Sequence, residues 1–306
     1  MISDDTEHTC IVGQSLLESC GEPKLFENYL AMHLRLWLLG LPAGIGFATL
    51  RGILRLWFGF SPAKSGVNSA GNGPAMRASL LGIYCSRQPE NIIKLIEIST
   101  RITHRNELAE QGALVVALGC AYASDKTPDQ INLNEFFTLT NKYISNTEMK
   151  KSLSIVQTEL SHGGNADELA KKLGFSKGVS GYILNTIPAA IFCWLKHKEN
   201  FRHAVEEVIL LGGDTDTTGA ITGALAGATL GANGIPNEWI SGIWEWPRSV
   251  NWIKKLSRQL ASQIENPVKI KKDSNVGFLQ AGTIPRNILF LTIVLFHGLR
   301  RLLPPY

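Results

Sequence analysis

The chain has 306 residues, 44% of them hydrophobic and 18% charged, enough apolar side chain for a large core, which excludes a mainly disordered protein. Its five cysteines (Cys10, Cys20, Cys85, Cys120, Cys193) are odd in number and never in CxxC spacing, which excludes a disulfide framework and a zinc ribbon and fits a reducing compartment. Net charge is +4, but residues 248–306 carry ten Lys and Arg against Glu265 and Asp273, so a basic tail follows a mildly acidic body. That tail reads as solubilising charge or as contact with an anionic surface; aromatic residues are not interleaved with it, so nucleic acid is not expected as a partner.

In chain order, no signal-peptide pattern opens the sequence. Ser3-Asp4-Asp5-Thr6-Glu7-His8-Thr9 starts an apparent helix carrying Cys10, Ile11, Val12, Leu16 and Leu17. Taken alone, Ser3 reads first as an N-cap with acids in the first turn; the same carboxylates and hydroxyls are also oxygen ligands for a hard cation. Residues 30–60 are rich in Leu, Trp and Phe, but His33, Arg35, Arg51 and Arg55 interrupt them and Pro42, Gly44 and Gly46 break them. No transmembrane span is expected there, since a span needs about 20 apolar residues.

Ser65–Arg77 is a Gly/Ser/Asn-rich loop running into a helix at Pro74, a junction whose N–H groups attract phosphate. It is neither a P-loop nor a GxGxxG turn. A buried helix is expected over Ile92–Ile98, then Ser99–Arg105 with His104, which by itself reads as a surface or capping residue. Ala109–Ala123 and Asn200–Leu211 read as helices, the second stopped by Gly212-Gly213. Loops are expected at 61–74, 124–129, 161–166, 175–181, 231–236 and 265–285.

The sharpest signal is Gly212-Gly213-Asp214-Thr215-Asp216-Thr217-Thr218, two carboxylates two residues apart leading into a small-residue helix over Gly219–Gly231. Capping by Asp214 or Thr215 accounts for one acid and one hydroxyl; metal binding accounts for both acids. Four Asp carboxylates with Ser and Thr hydroxyls in the two clusters suit a pair of cations. Near the end, Ile288–Leu295 is apolar except for Thr292, with His297, Arg300 and Arg301 following, and reads as a buried or interfacial helix. No stretch sustains period-two alternation, so the fold class is all-α. One helical domain is expected over 1–261, with a basic, partly apolar appendage over 262–306, in a soluble cytoplasmic protein.

Taken together, SDDTEHT (3–9), SAGNGPAMR (69–77), TRITH (100–104), GVSGYILNTIPAAIFCWL (178–195), GGDTDTTGAITGALAGATLG (212–231) and Ile235, Pro236 and Trp239 resemble the ADP-ribosylglycohydrolase family. The resemblance implies a single large orthogonal helical bundle with a binuclear metal cleft. It implies hydrolysis of the bond linking ADP-ribose to a modified protein side chain, arginine first, or to a small ADP-ribose conjugate. By position it places Ser3, Asp4, Asp5, Asp214, Asp216 and Thr217 at two divalent cations, Mg2+ or Mn2+, with Asp4 and Asp5 catalytic and an Asp such as Asp5 as base. Gly71, Asn72 and Gly73 would lie along the diphosphate with His104 nearby, and Ser180, Gly181 and Tyr182 would line the ADP-ribose pocket. A monomer is expected. Family members carry, ahead of the SDDT segment, a helix with a GDxxG-type motif and an acid that reaches the metals, whereas Met1 stands two residues before Ser3 here. The alternative is therefore a catalytically silent ADP-ribose-binding or structural relative, with Glu7 or Glu18 as candidate substitutes for that acid.

Overall fold

The structure, a computed structural model, describes residues 1–265 and 282–302. Most of the loop expected at 265–285, with Lys269, Lys271 and Lys272, lies outside the described residues. The helices are α1 (Asp4–Ser19), α2 (Pro23–Leu39), α3 (Phe47–Trp57), α4 (Pro62–Ser65), α5 (Ser79–Tyr84), α6 (Pro89–Arg101), α7 (Glu107–Ser124) and α8 (Leu133–Tyr143). They continue as α9 (Thr147–Ser161), α10 (Ala166–Leu173), α11 (Ile183–Lys196), α12 (Phe201–Leu210), α13 (Thr215–Leu230), α14 (Asn237–Ser241), α15 (Val250–Glu265) and α16 (Thr283–Leu302). Among the described residues there is no strand, and the all-α expectation holds.

Sequence chemistry explains the centre. α7 is Ala-, Val- and Leu-rich and is buried on every face from Ala113 to Cys120, as expected for a helix without a polar stripe. It packs against α5, α6, α11 and α13. Small residues allow the close approaches: a Cβ at Gly82 of α5 would stand 2.0 Å from the Ala117 carbonyl oxygen. Behind α7 the rings of Phe136 and Trp194 meet edge-on at 5.3 Å, and Trp194 Nε1 donates to Thr229 Oγ1 of α13 at 2.9 Å. The small-residue helix α13 lies between α11 and α12.

Three isolated backbone bridges tie the inter-helix loops together: Val67 with His104, Gly71 with Tyr182, and Val179 with Gly213. Val67 N–H donates to Thr103 O at 3.0 Å and Arg105 N–H to Val67 O at 2.8 Å. Asn72 N–H donates to Gly181 O at 3.0 Å, and Asp214 N–H to Val179 O at 2.7 Å. Loops far apart in sequence are thereby fixed to one another without a sheet. Gly213 is required at its place: its φ is +84°, and a Cβ there would stand 2.2 Å from Val179 O.

The apolar run near the end forms α16, but it is not buried. Its first turn is tied down through Arg286 and Asn287, both buried, while every residue from 291 to 300 is exposed. Of the two expected readings, buried or interfacial, burial fails there because no described element packs over that half of the helix. No helix among the described residues is long and apolar enough to cross a membrane.

Candidate functional site

Both acidic clusters stand at helix starts, yet neither Ser3 nor Asp214 caps its helix through its side chain. Ser3 Oγ donates to Asp5 Oδ2 at 2.7 Å, and Asp214 Oδ2 accepts from Asn72 Nδ2 at 2.7 Å. The capping reading therefore accounts for their positions but not for where their oxygens point. The N-termini of α1 and α13 converge, and oxygens of Asp4, Asp5 and Asp216 lie within 4.8 Å of one another. The Thr217 hydroxyl opposes the rise in the pKa of both Asp5 and Asp214, while the neighbouring Asp216 adds to that of Asp214.

This concentration of negative charge carries no Lys or Arg among its wall residues. Burial, then the charges of Asp5 and Asp216, raise the Asp4 pKa to about 7. Burial likewise raises Asp5 and Asp214, partly opposed by the Ser3 hydroxyl at Asp5 and by Asn72 at Asp214. Asp5 is 1% exposed, and its Oδ1 has no hydrogen-bond partner among the described residues. A buried oxygen left in this state normally costs stability. An oxygen-only donor set with an orphaned buried oxygen fits a hard divalent cation.

The carboxylates open onto a cavity of about 360 Å³, lined by Asp4, Asp214, Asp216 and Thr217 on one side and by Ser69, Gly71, Asn72, Gly73, His104 and Gly181 on another. Gly44, Gly46, Phe47, Ala48 and Thr49, from the start of α3 and the loop before it, complete the wall with Met76. Asn72 joins the two sides, since its Nδ2 also lies 3.1 Å from Thr186 Oγ1. Its backbone N–H is engaged by Gly181 O.

His104 is held from behind. Arg77, fully buried, donates to Ser99 O and to Thr103 Oγ1, each at 2.7 Å, and Thr103 Oγ1 lies 2.9 Å from His104 Nδ1. The Thr103 hydroxyl can accept from Arg77 and donate to Nδ1, an arrangement that carries the ring proton on Nε2. Burial and the Arg77 charge push the His104 pKa down to about 3, so the ring is a neutral donor. Its Nε2 faces the glycine loop, where a Cβ at Gly71 would stand 3.1 Å away.

The sequence-derived set divides. Asp4, Asp5, Asp214, Asp216, Thr217, Gly71, Asn72, Gly73, His104 and Gly181 gather around one cavity, and Ser3 reaches it through Asp5. Ser180 and Tyr182 are not among the residues that wall this cavity, although Tyr182 is bridged to Gly71, which is. Ser180 Oγ accepts from Asn185 Nδ2 at 2.9 Å, and Tyr182 is an exposed N-cap residue. Glu7 and Glu18 are corrected. Glu7 accepts from Trp37 Nε1 at 2.7 Å and Arg248 Nη1 at 3.2 Å, while Glu18 pairs with His33 at 2.8 Å. The Phe47–Thr49 wall was not singled out by the sequence; its only mark is the Gly44/Gly46 break.

Comparison with known proteins bears on this geometry. The family model described as ADP-ribosylglycohydrolase matches residues 1–268. The ADP-ribosyl-[dinitrogen reductase] glycohydrolase of Rhodospirillum rubrum is 27% identical over 241 residues, covering 78% of this chain and 72% of that protein. An uncharacterized protein of Archaeoglobus fulgidus is 29% identical, covering 79% and 75%, and the ADP-ribosylhydrolase ARH3 of Xenopus tropicalis is 26% identical, covering 68% and 66%. A solved ADP-ribosylglycohydrolase-related protein complex superposes with a TM-score of 0.61 at 22% identity, over 86% of this chain and 80% of that one, and shows the shared fold.

Proposed function

Because the chain belongs to the ADP-ribosylglycohydrolase family, we propose that it hydrolyses the glycosidic bond between ADP-ribose and a modified side chain. The observation that carries the proposal is the meeting of Asp4, Asp5 and Asp216 on a cavity that Asn72 and His104 also line. In the proposed site Ser3, Asp4, Asp5, Asp214, Asp216 and Thr217 hold two divalent cations, Mg2+ or Mn2+. Cations bound there would supply Lewis-acid polarisation at the ribose end of the substrate.

The protein's own groups do the rest. His104 Nε2–H donates to a ligand oxygen along the glycine loop without adding charge, and Asn72 fixes Asp214. Asp4 and Asp5 are the proposed carboxylates for the proton of the attacking water. Water delivers its oxygen to C1″, the C1″–N bond breaks, and the nitrogen of the departing side chain is protonated. Arginine is the proposed attachment point, as the family resemblance implies.

The test is release of ADP-ribose from ADP-ribosylated arginine, followed chromatographically with Mg2+ present. The proposal expects turnover by the wild type and none by Asp216→Asn. Binding of free ADP-ribose without turnover of arginine-, serine- or ester-linked substrates would replace it with a silent relative.

A further inference from the structure

The last helix takes no part in the site. α16 is fixed at its root: Arg286 Nη2 donates to Glu245 Oε2 at 2.7 Å, and Asn287 Nδ2 to Gly40 O at 2.6 Å. Beyond the root, Leu291, Ile293, Val294, Leu295, Phe296 and Leu299 are all exposed. At 100° per residue, Leu291, Val294 and Leu295 occupy one side of the helix and Ile293 and Phe296 the opposite one. A protein groove or a second copy covers one stripe of such a helix and leaves the other in water. A fluid hydrocarbon phase covers both.

Length and charge narrow the choice. From Ile288 to Leu299 the apolar stretch is about 18 Å long at the α-helical rise, well short of a hydrocarbon core of about 30 Å. Thr292, one of two polar residues in it, returns its hydroxyl to Ile288 O at 2.8 Å, so that group needs no water. Arg300 and Arg301 follow, and the sequence has no acid after Asp273. The root is flanked by exposed Leu41, beside Gly40, and by Trp244, 64% exposed and beside Glu245; tryptophan favours the headgroup level. The segment that receives Asn287 at Gly40 continues to Phe47 on the cavity wall.

We propose that α16 lies lengthwise within one leaflet of an anionic lipid bilayer, its basic end at headgroup level, holding the protein on a membrane surface with its cavity wall beside the docked face. The basic residues that follow the apolar stretch supply the preference for anionic headgroups.

The test uses the full chain and vesicles of phosphatidylcholine with or without phosphatidylglycerol. Co-sedimentation should be at least about tenfold stronger with phosphatidylglycerol and should weaken with salt. Phe296→Trp should shift its emission to the blue on those vesicles and be quenched by brominated acyl chains. Leu295→Glu with Phe296→Glu should lower partitioning at least about tenfold without moving the thermal midpoint, since both side chains are solvent-exposed. A folded protein that ignores anionic vesicles, or a Glu variant that sediments like the wild type, overturns the proposal. So does a dimer that the Glu variant dissociates while neither protein binds vesicles, because α16 would then be covered by a second copy.

Discussion

Asp5 and Glu7 are two buried carboxylates two residues apart on α1, in opposite surroundings. Glu7 meets Trp37, Arg248 at 3.2 Å and Arg286 at 3.7 Å. Arg286 extends that network to Glu245, whose Oε2 accepts from Ile2 N–H at 2.8 Å, and donates to Ile2 O at 2.5 Å. Asp5 meets Asp4, Asp216, two hydroxyls and no basic residue. One group is balanced charge that fixes the N-terminal backbone just before Ser3; the other is unbalanced charge held in place by it. Buried charge with a partner reads as architecture, and buried charge without one reads as a site.

Asp216→Asn should break the unbalanced side most severely. Cation-assisted catalysis is worth several kcal/mol, so kcat/KM should fall at least about 1000-fold. In chelator the same variant should melt higher than the wild type, because one repulsive carboxylate is gone; steady-state kinetics and thermal melts check both.

Glu7→Ala should do the reverse. It leaves Arg248 and Arg286 facing a buried gap and should cost about 3–5 kcal/mol in urea unfolding. Asp5→Asn, two residues away, should not destabilise the metal-free protein.

Asn72→Ala sharpens the comparison from the opposite wall. Loss of a group that orients a ligand carboxylate should weaken Mn2+ binding by about 10–100-fold, measured by calorimetry, with little change in unfolding.

The smallest effect is in pH. Asp4 is raised from 3.8 to about 7, so between those values the folded chain keeps a proton that the unfolded chain has lost. Stability contributed by this proton is therefore full below pH 4 and is lost as pH rises through about 7. Thermal melts in chelator should show this carboxyl's share as a falling midpoint over that window; with Mg2+ the midpoint should rise instead, since cation and proton compete for the same oxygens.

Much of this was legible in the sequence because it is local. Periodicity and composition placed α6, α7, α12 and α13 within a few residues, and the two Asp clusters marked themselves by spacing. The chelating arrangement was less so: capping and metal binding predict the same residues at the same helix positions, and only the side-chain directions of Ser3 and Asp214 separate them. Glu7 was misjudged because its charged partners Arg248 and Arg286 lie at least 241 residues away, beyond any spacing rule. Tyr182 sits in a matching segment, but its neighbour Gly181 faces the cavity and an adjacent residue need not. The Phe47 wall went unnoticed because a glycine break between apolar helices looks the same whether it borders a cavity or solvent.

The central claim is that the unbalanced carboxylates form a cation site. Titration of Mn2+ into metal-stripped protein, followed by the loss of its free-ion electron paramagnetic resonance signal, tests it most directly. The account predicts saturable binding by the wild type that Asp5→Asn abolishes and Glu18→Gln leaves unchanged. Absence of binding by folded wild type, or equal binding by Asp5→Asn, would contradict it.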